Sequence, residues 1–270
     1  MKEIKEINKK ELRKIQINIL DKVASFCESQ NLRYSLYGGT LLGAIRHNGY
    51  IPWDDDIDIS MPRPDYERFI ENFYLIEDSY LKLHELRLHN YYPYPFIKVS
   101  DERTLFIENF NYKYQMGVNI DIFPIDGLPL LEKDSKKIMK KSKFFRGLVD
   151  MKRIRISKER AIYKNTLLLF SRTILSIVPI NFLLKQIIRL ANKYNYDQSN
   201  YIGNIVWGYA SKERCNKTVY SDFIFHNFED KKFKIMIGYD EYLSNVFDEY
   251  MQLPPNEKQK AHHSYSAYFK

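Results

Sequence analysis

The sequence predicts an α+β fold. Three observations carry this: stretches with apolar residues at helical spacing, short stretches that alternate apolar and polar residues, and an order of the two without regular β-α-β spacing. First, Leu12, Ile15, Ile19, Val23 and Phe26 mark one face of an amphipathic helix. Tyr34-Ser35-Leu36-Tyr37 then alternates as a strand and runs into a turn at Gly38-Gly39, after which Thr40 to Arg46 reads as a short helix. Ile57-Asp58-Ile59 predicts a second strand, ended by Pro62 and Pro64, and Asp65 to Tyr74 returns to helical character. A strand is expected within Pro93 to Val99, and another over Val118 to Phe123, closed by Pro124. Residues 132–195 are helical in pattern and basic, with an interruption at Pro179. Near the end, Tyr242, Leu243, Val246, Phe247 and Tyr250 share a helical face, with Asp240 as N-cap and Pro254-Pro255 as the stop.

The 270 residues allow one large domain or two small ones, and 44% hydrophobic content supplies a substantial core. A charged fraction of 28% argues against disorder. No apolar run follows the first basic residues, so no signal peptide is expected. Cys27 and Cys215 lie far apart without metal-ligand spacing, which excludes a disulfide framework or zinc motif and points to the cytoplasm. The net charge of +8 is unevenly spread: Lys136 to Asn195 holds 16 Lys and Arg against 2 acids. Such a stretch suits nucleic acid, anionic lipid or a phosphorylated substrate. Its Tyr and Phe do not interleave with the Lys run as a stacking platform would, so no nucleic-acid partner is expected. Leu167 to Leu184 is strongly apolar but interrupted by Arg172, Pro179 and Asn181; a buried helix pair is the first expectation. Peripheral docking on an anionic membrane is the second, with charge reversal at Lys152, Arg153 and Arg155 as its test.

The chemistry is concentrated in residues 51–60, where Asp54, Asp55, Asp56 and Asp58 fall together. On a strand, Asp56 and Asp58 share a face with Cα atoms about 6–7 Å apart. Carboxylates so placed repel unless a hard cation joins them. Asp121, flanked by Ile120 and Ile122, becomes a third acid if its strand is a neighbour. Oxygen ligands of this kind suit Mg²⁺ or Mn²⁺. A calcium EF-hand starting at Asp54 is rejected, because its sixth and twelfth positions hold Ile59 and Asp65 instead of Gly and Glu. A solvated acidic turn is the plain alternative, but the flanking isoleucines argue for a buried strand. The upstream Gly38-Gly39, beside a helix start, is a place for a phosphate.

The string YGGTLLGAIRHNGYIPWDDDIDISMPRPDYERF (37–69) resembles the signature of the LicD family, as do FIKVSDERT (96–104), NIDIFPIDG (119–127) and YMQLPPNEK (250–258), ending near His263. That family includes bacterial phosphocholine transferases and is related to fukutin-type ribitol-phosphate transferases. The resemblance implies a nucleotidyltransferase-like mixed β-sheet core flanked by helices, with a basic helical insertion. It implies one catalytic domain over 1–270, with a helical basic subdomain at 132–195. The family pattern of a Gly-Gly-Ser/Thr turn, a paired-acid strand and a third acid falls on Gly38, Gly39 and Thr40, on Asp56 with Asp58, and on Asp121. One departure is local: family members often carry Tyr-Gly-Asp-Tyr before the two prolines, and this chain has Phe247-Asp248-Glu249-Tyr250.

The implied reaction is Mg²⁺-dependent transfer of phosphocholine from CDP-choline to a sugar hydroxyl of a cell-surface glycan precursor, of teichoic acid or lipopolysaccharide type, with CMP released. Asp56, Asp58 and Asp121 would be catalytic and metal-binding. Gly38, Gly39 and Thr40 would hold phosphate oxygens, Arg46, Arg63 and Lys98 are candidate phosphate partners, and each cation could equally be an ordinary surface charge. His47 follows a helix end, where it caps as readily as it catalyses, and His263 is a candidate by family position alone. Choline calls for aromatic faces, and Trp53 and the run Tyr91-Tyr92-Pro93-Tyr94 are the candidates. Same-class transferases using CDP-ribitol, CDP-glycerol or CDP-ethanolamine, and true nucleotidyltransferases, share these acids. A lipid-linked acceptor would place the enzyme at the inner face of the membrane.

Overall fold

A computed structural model describes residues 5–89, 91–111, 114–156, 161–260 and 265–270. Among these the helices are α1 (Lys9–Ser29), α2 (Gly38–His47), α3 (Arg63–Asn72), α4 (Glu132–Arg153), α5 (Ile162–Leu175), α6 (Ile180–Ala191) and α7 (Tyr239–Phe247). The strands are β1 (Ser35–Leu36), β2 (Asp58–Pro62), β3 (Leu81–His84), β4 (Ile97–Glu108), β5 (Met116–Leu128), β6 (Tyr201–Gly203), β7 (Cys215–Asn216), β8 (Phe223–Phe228), β9 (Lys231–Met236) and β10 (Tyr265–Phe269). The class is α+β, as the residue pattern predicts. A mixed sheet runs β1-β2-β5-β4-β10, with β3 on β4, β6 on the far end of β5 and β7 on β6; β8 and β9 form a separate hairpin. β2 and β5 are parallel, while β5 runs antiparallel to β4.

Helix α1 forms where its apolar spacing predicts. Asn8 and Glu11 close its N-terminus with a capping box, and Leu12, Ile19, Val23 and Phe26 are buried. It packs on β5 and β4, the strands that carry Asp121 and Lys98.

Several boundaries differ from the sequence reading. The Gly38-Gly39 pair is itself the first turn of α2, because Gly38 takes φ +53 and starts the helix directly after β1. Strand β2 starts at Asp58, so Asp56 lies in the segment leading into it rather than on the strand. Strand β5 continues through Pro124. That proline is tolerated because β4 begins opposite Ile122, so no β4 carbonyl requires a donor at position 124. The N-cap of α7 is Gly238; Asp240 lies in the first turn and accepts from the Tyr250 hydroxyl at 2.5 Å. That helix stops at Phe247, where Asp248 turns to φ +56, ahead of the two prolines.

The apolar stretch around Pro179 is not a buried pair. Helix α6 buries Leu183, Leu184, Ile187 and Ala191, whereas α5 buries only Leu168. Arg153, one of the cations expected to meet lipid, is in the core, its guanidinium over the rings of Tyr94 and Phe110.

Candidate active site

Two registers build the site. In the parallel pair Asp58 stands opposite Asp121, and in the antiparallel pair Lys98 stands opposite Asp121. Opposed residues of adjacent strands point to the same face, so Asp58, Asp121 and Lys98 lie abreast across three strands. Lys98 Nζ donates to Asp121 Oδ1 at 2.6 Å and to Asn119 Oδ1 at 3.2 Å, and lies 4.6 Å from the Tyr94 ring centroid.

Strand β1 runs antiparallel to β2 with Leu36 opposite Ile59, which delivers the start of α2 to the position of Asp58. The Tyr37 amide donates to the Asp58 carbonyl, and the Asp58 amide donates to Thr40 Oγ1 at 2.8 Å. Thr40 is therefore buried behind Asp58, holding its backbone. A Cβ on Gly38 would stand 3.3 Å from Asp58 Oδ2, and one on Gly39 2.8 Å from Asp54 Oδ2. The two glycines thus let the helix start approach the carboxylates closely.

The acids are crowded. Asp54, Asp55 and Asp56 bring carboxylate oxygens within 4.8 Å of one another. Burial pushes the Asp58 carboxyl well above the ordinary aspartate range; Asp56, Asp121 and Asp54 push it further, and Lys98 opposes them. Burial alone would depress Lys98, but Asp121, Glu108 and Asp56 outweigh it and hold its ammonium above the ordinary value. An excess of carboxylates over cations at one place fits a hard divalent cation, which removes the repulsion.

Asp54, Asp56, Asp58 and Asp121, but not the buried Asp55, form part of the lining of a cavity of about 1160 Å³. Gly38, Gly39, Arg46, Trp53, Asp56, Asp58 and Asp121 all line it. Arg46 is committed at the rim, donating to the carbonyls of Tyr250 (2.7 Å) and Gln252 (3.1 Å) and to His47 Nε2 (3.0 Å). His47 packs beside Trp53, and burial, then Arg46, hold its imidazole below the ordinary value.

Other candidates are placed elsewhere. Arg63 follows the far end of β2 and pairs with Asp126 at 2.6 Å and Glu67 at 3.0 Å, outside the cavity lining. Tyr92 and Tyr94 are in the core and Tyr91 is exposed; none of the three lines the cavity. His263 lies outside the described residues.

The structure adds wall residues that the sequence reading missed: Trp207, Tyr209, Phe247 and Tyr250. Tyr209 and Phe247 meet edge to face with ring centroids 5.2 Å apart. A signal existed, since the chain has 2 tryptophans and both, Trp53 and Trp207, line this cavity. Behind this wall Glu213 is buried. Its carboxylate accepts from the Tyr37 hydroxyl (2.5 Å) and the Tyr209 amide (2.9 Å), and burial raises its pKa to about 7.

Comparison with known proteins matches residues 31–161 to the family described as LicD/FKTN/FKRP, nucleotidyltransferase domain. The chain is also 34% identical over 270 residues to the lipopolysaccharide cholinephosphotransferase LicD of Haemophilus influenzae, covering 98% of this chain and 99% of that protein. The chain belongs to the LicD family. Shorter likenesses to the LicD-type sequence extend further: 49% identity over 39 residues to the human ribitol 5-phosphate transferase FKRP (14% of this chain, 8% of that one). An uncharacterised Rickettsia typhi protein is 51% identical over 39 residues (14% and 13%). LicD membership agrees with the resemblance carried by the Gly-Gly and Asp-rich motifs.

Proposed function

We propose that this chain transfers phosphocholine from CDP-choline to a sugar hydroxyl of a cell-surface glycan precursor, of lipopolysaccharide or teichoic acid type, releasing CMP. The observation that carries the reading is the alignment of Asp58 with Asp121 at an aromatic-walled cavity. The near full-length likeness to a cholinephosphotransferase supports the choice of group transferred.

Asp56, Asp58 and Asp121 are the residues that would hold Mg²⁺ or Mn²⁺. Such an ion, when bound, neutralises charge on the diphosphate and on the departing CMP. The chain's own residues do the remaining work. Gly38 and Gly39 keep the first turn of α2 bare, so phosphate oxygens can approach its amides. Thr40 fixes the backbone of Asp58, and Lys98 fixes the orientation of Asp121. The sugar hydroxyl, oriented by Asp121, attacks the phosphorus that bears choline and gives its proton through the Asp121 carboxylate to solvent, while the bond from that phosphorus to the bridging oxygen breaks and CMP leaves with that oxygen. Tyr209 and Phe247, with Trp53 and Trp207 also lining the cavity, supply the ring faces that a quaternary ammonium needs. In this reading residues 1–270 act as one catalytic domain, with 132–195 as its basic helical subdomain, at the cytoplasmic face of the membrane where a lipid-linked acceptor would be met.

The likeness to a ribitol 5-phosphate transferase favours a second reading, in which the donor is CDP-ribitol, or another CDP-alcohol such as CDP-glycerol or CDP-ethanolamine. The deciding experiment supplies each CDP-alcohol with Mg²⁺ and glycan acceptors and measures CMP release by wild type and Asp58→Ala. CDP-choline is expected to be consumed fastest, and only by wild type. Consumption of no donor would overturn the reading, and release of phosphocholine in place of CMP would show that the chain transfers the nucleotide instead.

A further inference from the structure

Helix α5 is amphipathic in the reverse sense to α1. At 100° per residue, Ile162, Tyr163, Leu167, Leu169, Phe170 and Ile174 fall on one arc, and every one of them is exposed. Exposure reaches 85% at Ile162, 63% at Leu167 and 65% at Phe170, and 86% at Ile177 just beyond the helix. The opposite arc, which carries Asn165, Ser171 and Arg172 beside Leu168, is the one turned to the protein. Arg172 donates from this side to the carbonyls of Met151 and Ile154. Lys152 of α4 caps the end of the helix, donating to the Leu175 and Val178 carbonyls. The polar side is thus occupied by the protein, and the apolar side faces outward.

Even the hydroxyls on the outer arc are satisfied internally. Thr166 donates to the Ile162 carbonyl and Thr173 to the Leu169 carbonyl, each at 3.1 Å. Side chains arranged in this way need no water. No single helix among the described residues is long and apolar enough to cross a membrane, and α5 meets α6 at a bend of 86°. A helix of this kind lies in an interface rather than spanning it.

We propose that α5 lies flat in the headgroup region of an anionic lipid bilayer, its Ile162–Ile174 arc among the acyl chains. Charge selects this occupant. Residues 161–195 carry Lys164, Arg172, Lys185, Arg189 and Lys193 and no Asp or Glu. Two copies of the chain meeting on this face would set one such basic segment against another, whereas a negatively charged leaflet attracts both the charge and the apolar arc. The inference stands on α5 alone, and its test uses neither donor nor acceptor.

The full chain is mixed with vesicles of equal parts phosphatidylglycerol and phosphatidylcholine, or of phosphatidylcholine alone, and sedimented. Wild type is expected to partition onto the anionic vesicles, and the double variant Leu167→Glu/Phe170→Glu to lose about tenfold or more of that partitioning. Both sites are exposed, so the fold is retained. The conservative variant Phe170→Trp gives a second reading: its emission is expected to be quenched by lipids brominated in the acyl chain. Wild type left in the supernatant, or equal binding by the double variant, would overturn the proposal. So would a wild-type dimer that the double variant dissociates while neither form binds vesicles.

Discussion

Strand β5 carries two aspartates that each meet a cation from another element, and they differ in what surrounds the pair. Asp126 is buried at the far end of the strand and faces Arg63, which Glu67 engages from its other side. Asp121, earlier on the strand, faces Lys98 at the same 2.6 Å, but Asp58 stands on its other side and Asp56 and Asp54 are close behind. The first arrangement closes on itself. The second leaves negative charge concentrated at a cavity, and natural folds keep such repulsion where a ligand relieves it. An ion pair alone therefore does not identify a site; the surplus of one sign around it does.

The largest effect should come from relieving that surplus. Asp58→Asn removes a carboxylate repelled by three others, so CMP release should fall by about 10³-fold or more while the thermal midpoint holds or rises. Retained activity would remove Asp58 from the chemistry. Asp126→Asn should do the reverse. It leaves the Arg63 guanidinium buried against a neutral partner, at a cost of about 3–5 kcal/mol in unfolding free energy, with KM unchanged. Denaturant unfolding together with steady-state kinetics separates the two, and a stable but inactive Asp126→Asn would erase the contrast between them.

Glu213 extends the comparison to a buried acid held by a hydroxyl and an amide rather than by a cation. Tyr37, Tyr209 and Tyr242 face it, with Arg146 the nearby positive charge. Its pKa rises from 4.5 to about 7 on folding. The folded state therefore holds a proton that the unfolded state has released, and the stability this gives is present below pH 4.5 and lost as pH climbs through about 7. Thermal midpoints measured across that window should fall for wild type and stay flatter for Glu213→Gln. Parallel curves would show that Glu213 does not titrate there.

The acids were legible before the structure because alternation around Ile57-Asp58-Ile59 and Ile120-Asp121-Ile122 gives both the strand and the face. What alternation cannot give is the neighbour: that β2 lies beside β5, or that Arg63 meets Asp126 instead of the cavity, is decided by pairing between distant segments. The aromatic wall was hidden for the same reason, since Trp207 and Tyr209 sit between short strands without periodicity. The outward face of α5 was hidden differently. Apolar periodicity reports that a helix has a greasy side, and burial in a core is only one way to cover it.

The smallest effect concerns the departure from the family pattern at the cavity rim. Asp248 occupies the position where family members often have Gly, and the structure holds it at φ 56, ψ −122, a region that side chains disfavour and glycine enters freely. Its compensation is an ion pair with Lys212 at 2.9 Å, but the Asp248 side chain is 79% exposed, so solvent screens the pair. Relief of backbone strain should win. Asp248→Gly is expected to stabilise the chain by about 1 kcal/mol, read as a higher denaturant midpoint at unchanged slope. A lower midpoint would mean that the Lys212 contact, rather than the backbone, sets the turn between α7 and the Tyr250 carbonyl that Arg46 grips.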